Sequence, residues 1–294
     1  LPTPMGAGAF QELVRKVAPT DANILITGEN GTGKEVLARE IHRLSKRNAK
    51  QMVTVDMGAI TETLFESELF GYVRGAFTDA KSDKPGKMEL AEGSTLFLDE
   101  IGNLSYPLQA KLLTALQRRT ITRIGGTKEI PINIRLISAT NCNLQEMVRE
   151  GTFREDLLYR MNTICLHLPP LRERKDEIIP LAQQFIKKFS DFYNKTPIEI
   201  DVKTCQQLLE YSWPGNIREL EHTMERAVII GEISIPHSPL PTSHSSTPSA
   251  SLASMERDLI ARTIRECDGN LTLVAQRLDI ARQTLYNKIK KYGL

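Results

Sequence analysis

Four runs of mostly apolar, β-favouring residues punctuate the first half of the chain, "NILITG", "MVTVD", "STLFLDE" and "INIRLISATN". Runs of three-to-four-residue hydrophobic spacing, "KEVLAREIHRLSKR" and "SYPLQAKLLTALQRR", lie between them. Strands alternating with helices predict a parallel sheet with helices packed on it, an α/β domain. From about Leu171 the strand pattern stops. "KDEIIPLAQQFIKKFSDFY", "KTCQQLLEYS" and "IRELEHTMERAVII" all have helical spacing, which predicts a small helical lid. Residues 235–252, "IPHSPLPTSHSSTPSASL", are rich in Ser, Pro and Thr with little that could pack, and read as a linker. Three short helical runs follow. The expected division is therefore 1–168 for the α/β part, 169–234 for the lid, 235–252 for the linker and 253–294 for a small all-α domain.

Composition narrows the class. A chain of 294 residues with 40% hydrophobic content can bury a full core. No apolar run approaches the roughly 20 residues a bilayer-spanning helix needs, and "LPTPMGAGAF" lacks a signal peptide's pattern, so a soluble, cytoplasmic protein is expected. Cys142, Cys165, Cys205 and Cys267 form no metal-ligand spacing and read as reduced packing residues. A formal charge of +2 confines any nucleic-acid-binding surface to a local patch.

The chemistry concentrates at strand ends. "GENGTGKEV" (Gly28, Glu29, Asn30, Gly31, Thr32, Gly33, Lys34, Glu35, Val36) follows an apolar strand and opens a helical pattern, the context of a phosphate-binding P-loop. Glycines let backbone N–H groups turn toward phosphate oxygens, the helix offers its positive end, and Lys34 reaches the outer phosphates. Glu35 occupies the place of the usual magnesium-binding Ser or Thr. Asp99 and Glu100 end a second strand and suit a Mg²⁺ anchor and a water-polarising base, although an isolated carboxylate pair could equally solvate a strand end. Thr140 and Asn141 end a third strand, where they could sense a γ-phosphate.

At "FREDLLYRMNTICLHLPPLRER" and "WPGNIREL" the chain resembles the AAA+ core of the NtrC-like, sigma-54-dependent transcriptional activators, from about Phe10 to Gly231. The resemblance implies an ATPase using ATP and Mg²⁺, assembled as a ring of six or seven copies. It implies that Arg154 and Arg160 are arginine fingers reaching a neighbour's γ-phosphate, and that Arg218 senses nucleotide in cis. It implies that "GAFTDA" (Gly75, Ala76, Phe77, Thr78, Asp79, Ala80) is the surface loop that touches the sigma factor of RNA polymerase. Three departures stand out. Asp79 replaces the family's second loop Gly. Asp56 stands where an Asn often restrains the catalytic carboxylate. The receiver or sensor domain typical of these two-component regulators has no counterpart, which predicts a truncated form of a longer protein.

"DGNLTLVAQRLDIARQTLYNKIKKYGL" resembles the Fis-type helix-turn-helix. Leu273, Val274 and Leu278 would face Ile280, Leu285 and Ile289 across a turn at Asp279. Arg282, Gln283, Thr284 and Asn287 would reach base edges in double-stranded DNA, while Tyr286, Lys288, Lys290 and Lys291 suit phosphates. The leading expectation is an ATP-hydrolysing activator that binds upstream DNA and remodels sigma-54 polymerase. The alternative is a nucleotide-regulated DNA-binding factor that never remodels it. Phe77, Thr78 and the terminal module disfavour an AAA+ loader or chelatase.

Overall fold

A computed structural model describes residues 7–58 and 62–235, together with Thr263, Leu271 and Val274. The chain divides into two units, Leu1–Ser238 and Pro239–Leu294. In the first, five parallel strands form one sheet in the order β2-β5-β8-β1-β9. Their ranges are β1 (Ile24–Thr27), β2 (Val53–Asp56), β5 (Thr95–Asp99), β8 (Arg135–Thr140) and β9 (Ile164–His167). Two hairpins complete the strand set: β3 (Gly71–Tyr72) with β4 (Lys84–Pro85), and β6 (Thr120–Thr122) with β7 (Glu129–Pro131).

The central strands read as continuous apolar runs because both sheet faces are covered. Within β5, Leu96 and Leu98 point to one side, where helices α3 (Glu62–Phe70), α5 (Tyr106–Arg118) and α7 (Glu155–Met161) supply Phe65, Leu69, Leu112 and Leu157. Phe97 points to the other side, toward α1 (Ala7–Val17) and α2 (Lys34–Arg43), with Val14, Ala38 and Ile41. Burying each such large side chain contributes about 1.5–3 kcal/mol. Short helices α4 (Lys87–Leu90) and α6 (Leu144–Arg149) pack on the side of α3, α5 and α7, contributing Met88 and Leu144 to that core.

Arg135, 1% exposed, opens β8 and donates to the carbonyls of Val17, Ala18 and Ala22. Burial pushes its pKa down, and the charge is tolerated because its donors are met by three carbonyls, two of them at the end of α1. The lid comprises α8 (Ile178–Tyr193), α9 (Val202–Glu210) and α10 (Asn216–Ile230) around a core centred on fully buried Trp213, whose indole N–H donates to Leu208 O at 2.8 Å. In the second unit, Thr263 and Val274 are buried helical residues. The expected DNA-reading positions Arg282, Gln283, Thr284, Tyr286, Asn287, Lys288, Lys290 and Lys291 lie outside the described residues. Among the described residues, no helix is long and apolar enough to cross a membrane.

Candidate nucleotide site and sigma-contact loop

The strand order brings the carboxyl ends of β1, β5 and β8 side by side, and in such sheets ligands occupy the crevice beyond those ends. A cleft of about 670 Å³ opens there. Its wall includes Asn30, Gly31, Gly33, Lys34, Glu35 and Val36 from the P-loop turn, Asp56, Asp99, Glu100 and Asn141 from strand ends, and Ile217, Arg218 and Glu221 from α10. Gly31 (φ 76°) and Gly33 (φ 98°) take left-handed conformations that other residues adopt only with strain. Gly31 is constrained twice, since a Cβ there would stand 2.3 Å from Gly215 O.

Lys34 is 7% exposed. Its ammonium donates to Gly28 O (3.0 Å) and Glu29 O (3.1 Å) and stands 3.5 Å from Glu100 Oε1. Thr32 is buried, its hydroxyl donating to Glu29 O. Glu100 takes a left-handed backbone (φ 56°), a costly conformation for a side-chain-bearing residue that is typical of functional sites. Its second carboxylate oxygen accepts from Asn141 N at 3.3 Å. Burial first, and then the Glu100 charge, push the Asp99 pKa up, with Lys34 opposing.

Several sequence-derived positions take unexpected surroundings. Asp56 sits on the cleft wall in register with Asp99, but its Oδ1 accepts from Gly58 N (2.8 Å); the groups that hold Glu100 are Lys34 and the Asn141 amide. Thr140 is fully buried and its hydroxyl accepts from Cys142 N, so Asn141 alone of that pair reaches the cleft. Glu35 is tied to Arg39 one turn along the helix. Asp99, on the cleft wall and free of such ties to Arg39 or Gly58, has carboxylate oxygens of the kind that would hold a hard divalent cation beside a nucleotide. Arg154 pairs with Asp156 (2.7 Å) and covers the Tyr106 ring, while the exposed Arg160 donates to Leu116 O. Neither arginine lines the cleft.

Residues not singled out from sequence also line the cleft or hold the P-loop residue Glu29. Gly58, Asn103 and Cys142 line the cleft. Glu29 extends away from Lys34 into a two-pronged pair with Arg172 (2.9 and 2.6 Å) and accepts from Asn216 Nδ2 (3.1 Å), which holds its carboxyl down at about 2. The only sequence signal for this contact was charge, Arg172 and Arg174, just after the last sheet strand.

"GAFTDA" forms the tip of the β3–β4 hairpin. Gly75 N donates to Ala80 O (2.9 Å) and Ala80 N to Phe77 O (3.0 Å), closing the loop over buried Ala80. Phe77 is 45% exposed and meets Tyr72 edge-on at 4.8 Å. Only Gly75 takes a left-handed φ in this loop; Asp79 does not, so its side chain costs no backbone strain here. The turn beyond β6 supports the loop base, with Val73 N donating to Ile124 O and Gly125 packed against Ala76.

Three family models match consecutive stretches: the sigma-54 interaction domain over residues 6–167, the AAA+ ATPase lid domain over 172–254, and the Fis family of bacterial regulatory proteins over 251–292. The chain is 43% identical to the transcriptional regulatory protein FlbD of Caulobacter vibrioides over 96% of its length and 68% of FlbD. It is 50% identical to the sigma54-dependent transcriptional activator SfnR of Pseudomonas putida over 74% of the chain and 59% of SfnR. The solved structure of NtrX from Brucella abortus in complex with ATP matches with a TM-score of 0.73 and 32% identity, covering 100% of this chain and 69% of that one. NtrX has also been solved with ADP. The P-loop geometry, the strand-end carboxylates, the lid and these three consecutive matches place the chain in the sigma-54-dependent transcriptional activator family, whose core is an AAA+ P-loop ATPase joined to a Fis-type DNA-binding helix-turn-helix.

Proposed function

We propose that this chain binds and hydrolyses ATP within a ring of copies and uses the cycle to remodel sigma-54 RNA polymerase at promoters whose upstream DNA it holds. The observation that carries the reading is the gathering of Lys34, Asp99, Glu100, Asn141 and Arg218 on one cleft, with Arg154 and Arg160 outside it. Lys34 exchanges its carbonyl partners for phosphate oxygens. Asp99 would hold the Mg²⁺ ion, which would neutralise phosphate charge. Glu100, released from Lys34 as the lysine turns to phosphate, orients the attacking water. Asn141 reports the γ-phosphate, and Arg218 carries that report to the lid.

Charge balance favours catalysis between copies. Glu35 is paired with Arg39 and Glu221 with Lys188, which leaves Asp56, Asp99 and Glu100 facing Lys34 and Arg218 in the cleft wall, and a triphosphate adds further negative charge. Additional cations are needed in the transition state, and Arg154 and Arg160 of a neighbouring copy can supply them. Phe77 and Thr78 contact the sigma factor, and Arg282, Gln283, Thr284, Tyr286, Asn287, Lys288, Lys290 and Lys291 bind DNA. The test is phosphate release together with open-complex formation on a sigma-54 promoter. ATPase activity without any promoter opening would favour the regulator that uses nucleotide only to set its assembly state.

A further inference from the structure

Four consecutive P-loop residues are gripped from outside by the lid. Arg172 and Asn216 hold the Glu29 carboxylate, and Asn216 Nδ2 also donates to Asn30 O at 2.9 Å. Ile217 N donates to Gly31 O (2.9 Å), and Arg174 Nη2 donates to Thr32 O (2.7 Å). Asn216 is itself fully buried, has a left-handed backbone (φ 54°), and fixes the lid's first turn by accepting from Leu171 N. A trans peptide is planar, with its C=O and the following N–H pointing in opposite directions. Anchoring the carbonyls of Asn30, Gly31 and Thr32 to the lid therefore turns the N–H groups of Gly31, Thr32 and Gly33 away from those lid contacts.

We propose that Glu29, clasped by Arg172 and Asn216, is the residue through which the lid sets the P-loop peptide orientations that make the anion cradle. Glu29 and Arg172 are positioning residues here. They act on nucleotide through the peptide planes between residues 30 and 33. The inference deepens the ATP-binding reading and rests on it. A preset cradle avoids reorganisation on binding, so loosening the clasp lowers affinity at a site the clasp never touches. The coupling also runs in reverse: nucleotide that orders the cradle tightens the lid, giving the lid angle a phosphate-dependent component separate from Arg218.

The test is ADP affinity, measured by titration of the full chain with a fluorescent ADP, in a double-mutant cycle. Glu29→Ala and Arg172→Ala are each expected to weaken binding about tenfold. The double variant should be no weaker than Glu29→Ala alone, because Glu29→Ala already removes the Arg172 contact together with that from Asn216. Arg172→Lys keeps the charge and most of the stem packing but loses the two-pronged fit, and should fall between wild type and Arg172→Ala. That variant keeps the test informative if the alanine variants unfold. Wild-type affinity in Arg172→Lys together with either single alanine variant, or losses that multiply in the double, would overturn the clasp. Failure of the unmodified chain to bind ADP would instead overturn the nucleotide reading, and this inference with it.

Discussion

At Lys34 and Glu100 two charges 3.5 Å apart have separable tasks, one toward phosphate and one toward water. Lys34→Ala is expected to abolish ATP binding, while Glu100→Gln keeps binding and loses hydrolysis; a fluorescent-nucleotide titration beside a phosphate-release assay checks this, and equal loss of binding in both contradicts it. Asp99 gives a prediction of the opposite sign for stability. Its pKa is raised in the folded chain, so it favours folding below its unfolded value near 3.8 and opposes folding once pH rises through the folded value. Asp99→Asn should therefore melt a few degrees higher than the parent at neutral pH, with the gain shrinking in acid, while losing Mg²⁺-dependent ATPase. Differential scanning calorimetry across pH reads the first effect, and a lower melting temperature at pH 7 would contradict the burial argument. Glu29 behaves in the reverse sense: its clasp favours folding above the ordinary 4.5 and is lost as pH falls through about 2.

At the scale of elements, the β3–β4 hairpin lifts Thr78 to an exposed tip while Gly75, Ala80 and the neighbouring turn hold its base. Thr78→Ala should keep ATPase and assembly but lose promoter opening, and Asp79→Gly should keep opening while changing its salt dependence, because a charge at an exposed tip is screened. Open-complex formation measured beside phosphate release decides both, and normal opening by Thr78→Ala would remove the loop from the mechanism. In the lid, Trp213→Ala should cost about 3–5 kcal/mol, read by urea unfolding, since it empties the centre of the lid core. Which elements were legible follows from burial. β1, β5 and β8 are covered on both faces and announce themselves as apolar runs, and the edge strand β2 shows through its β-branched "VTV"; β9, an edge strand buried to the same degree, has only "ICL" between polar neighbours. Hairpins of two or three residues per strand are too short for any period to show. The P-loop was readable because its glycines have a fixed spacing. The Glu29 clasp, the left-handed Glu100 and the turning of Asp56 toward Gly58 were not, because each depends on residues or peptide planes that meet only after folding.

For the whole molecule, placing Arg154 and Arg160 outside their own cleft predicts activity that only an assembly can show. Arg160→Ala subunits mixed with Lys34→Ala subunits should regain some ATPase, since an intact cleft then meets an intact finger at part of the interfaces; a mixture that co-assembles yet never exceeds the separate residual rates would rule out action between copies. On DNA, Arg282→Ala should cost about 1–3 kcal/mol and relax sequence preference, whereas Lys290→Ala should weaken all sequences alike and lower the salt slope by about one unit. Binding titrations at several salt concentrations on specific and scrambled sites separate the two, and unchanged preference in Arg282→Ala rejects base readout. The central claim joins these parts: hydrolysis in the cleft drives the hairpin tip against the sigma factor. Its most direct test is open-complex formation by sigma-54 RNA polymerase with this chain bound upstream, comparing ATP, a non-hydrolysable ATP analogue, and ATP with the Glu100→Gln variant. Opening is expected with ATP and the parent chain alone. Opening with the analogue or with Glu100→Gln, or none under any condition despite rapid ATP turnover, would contradict it.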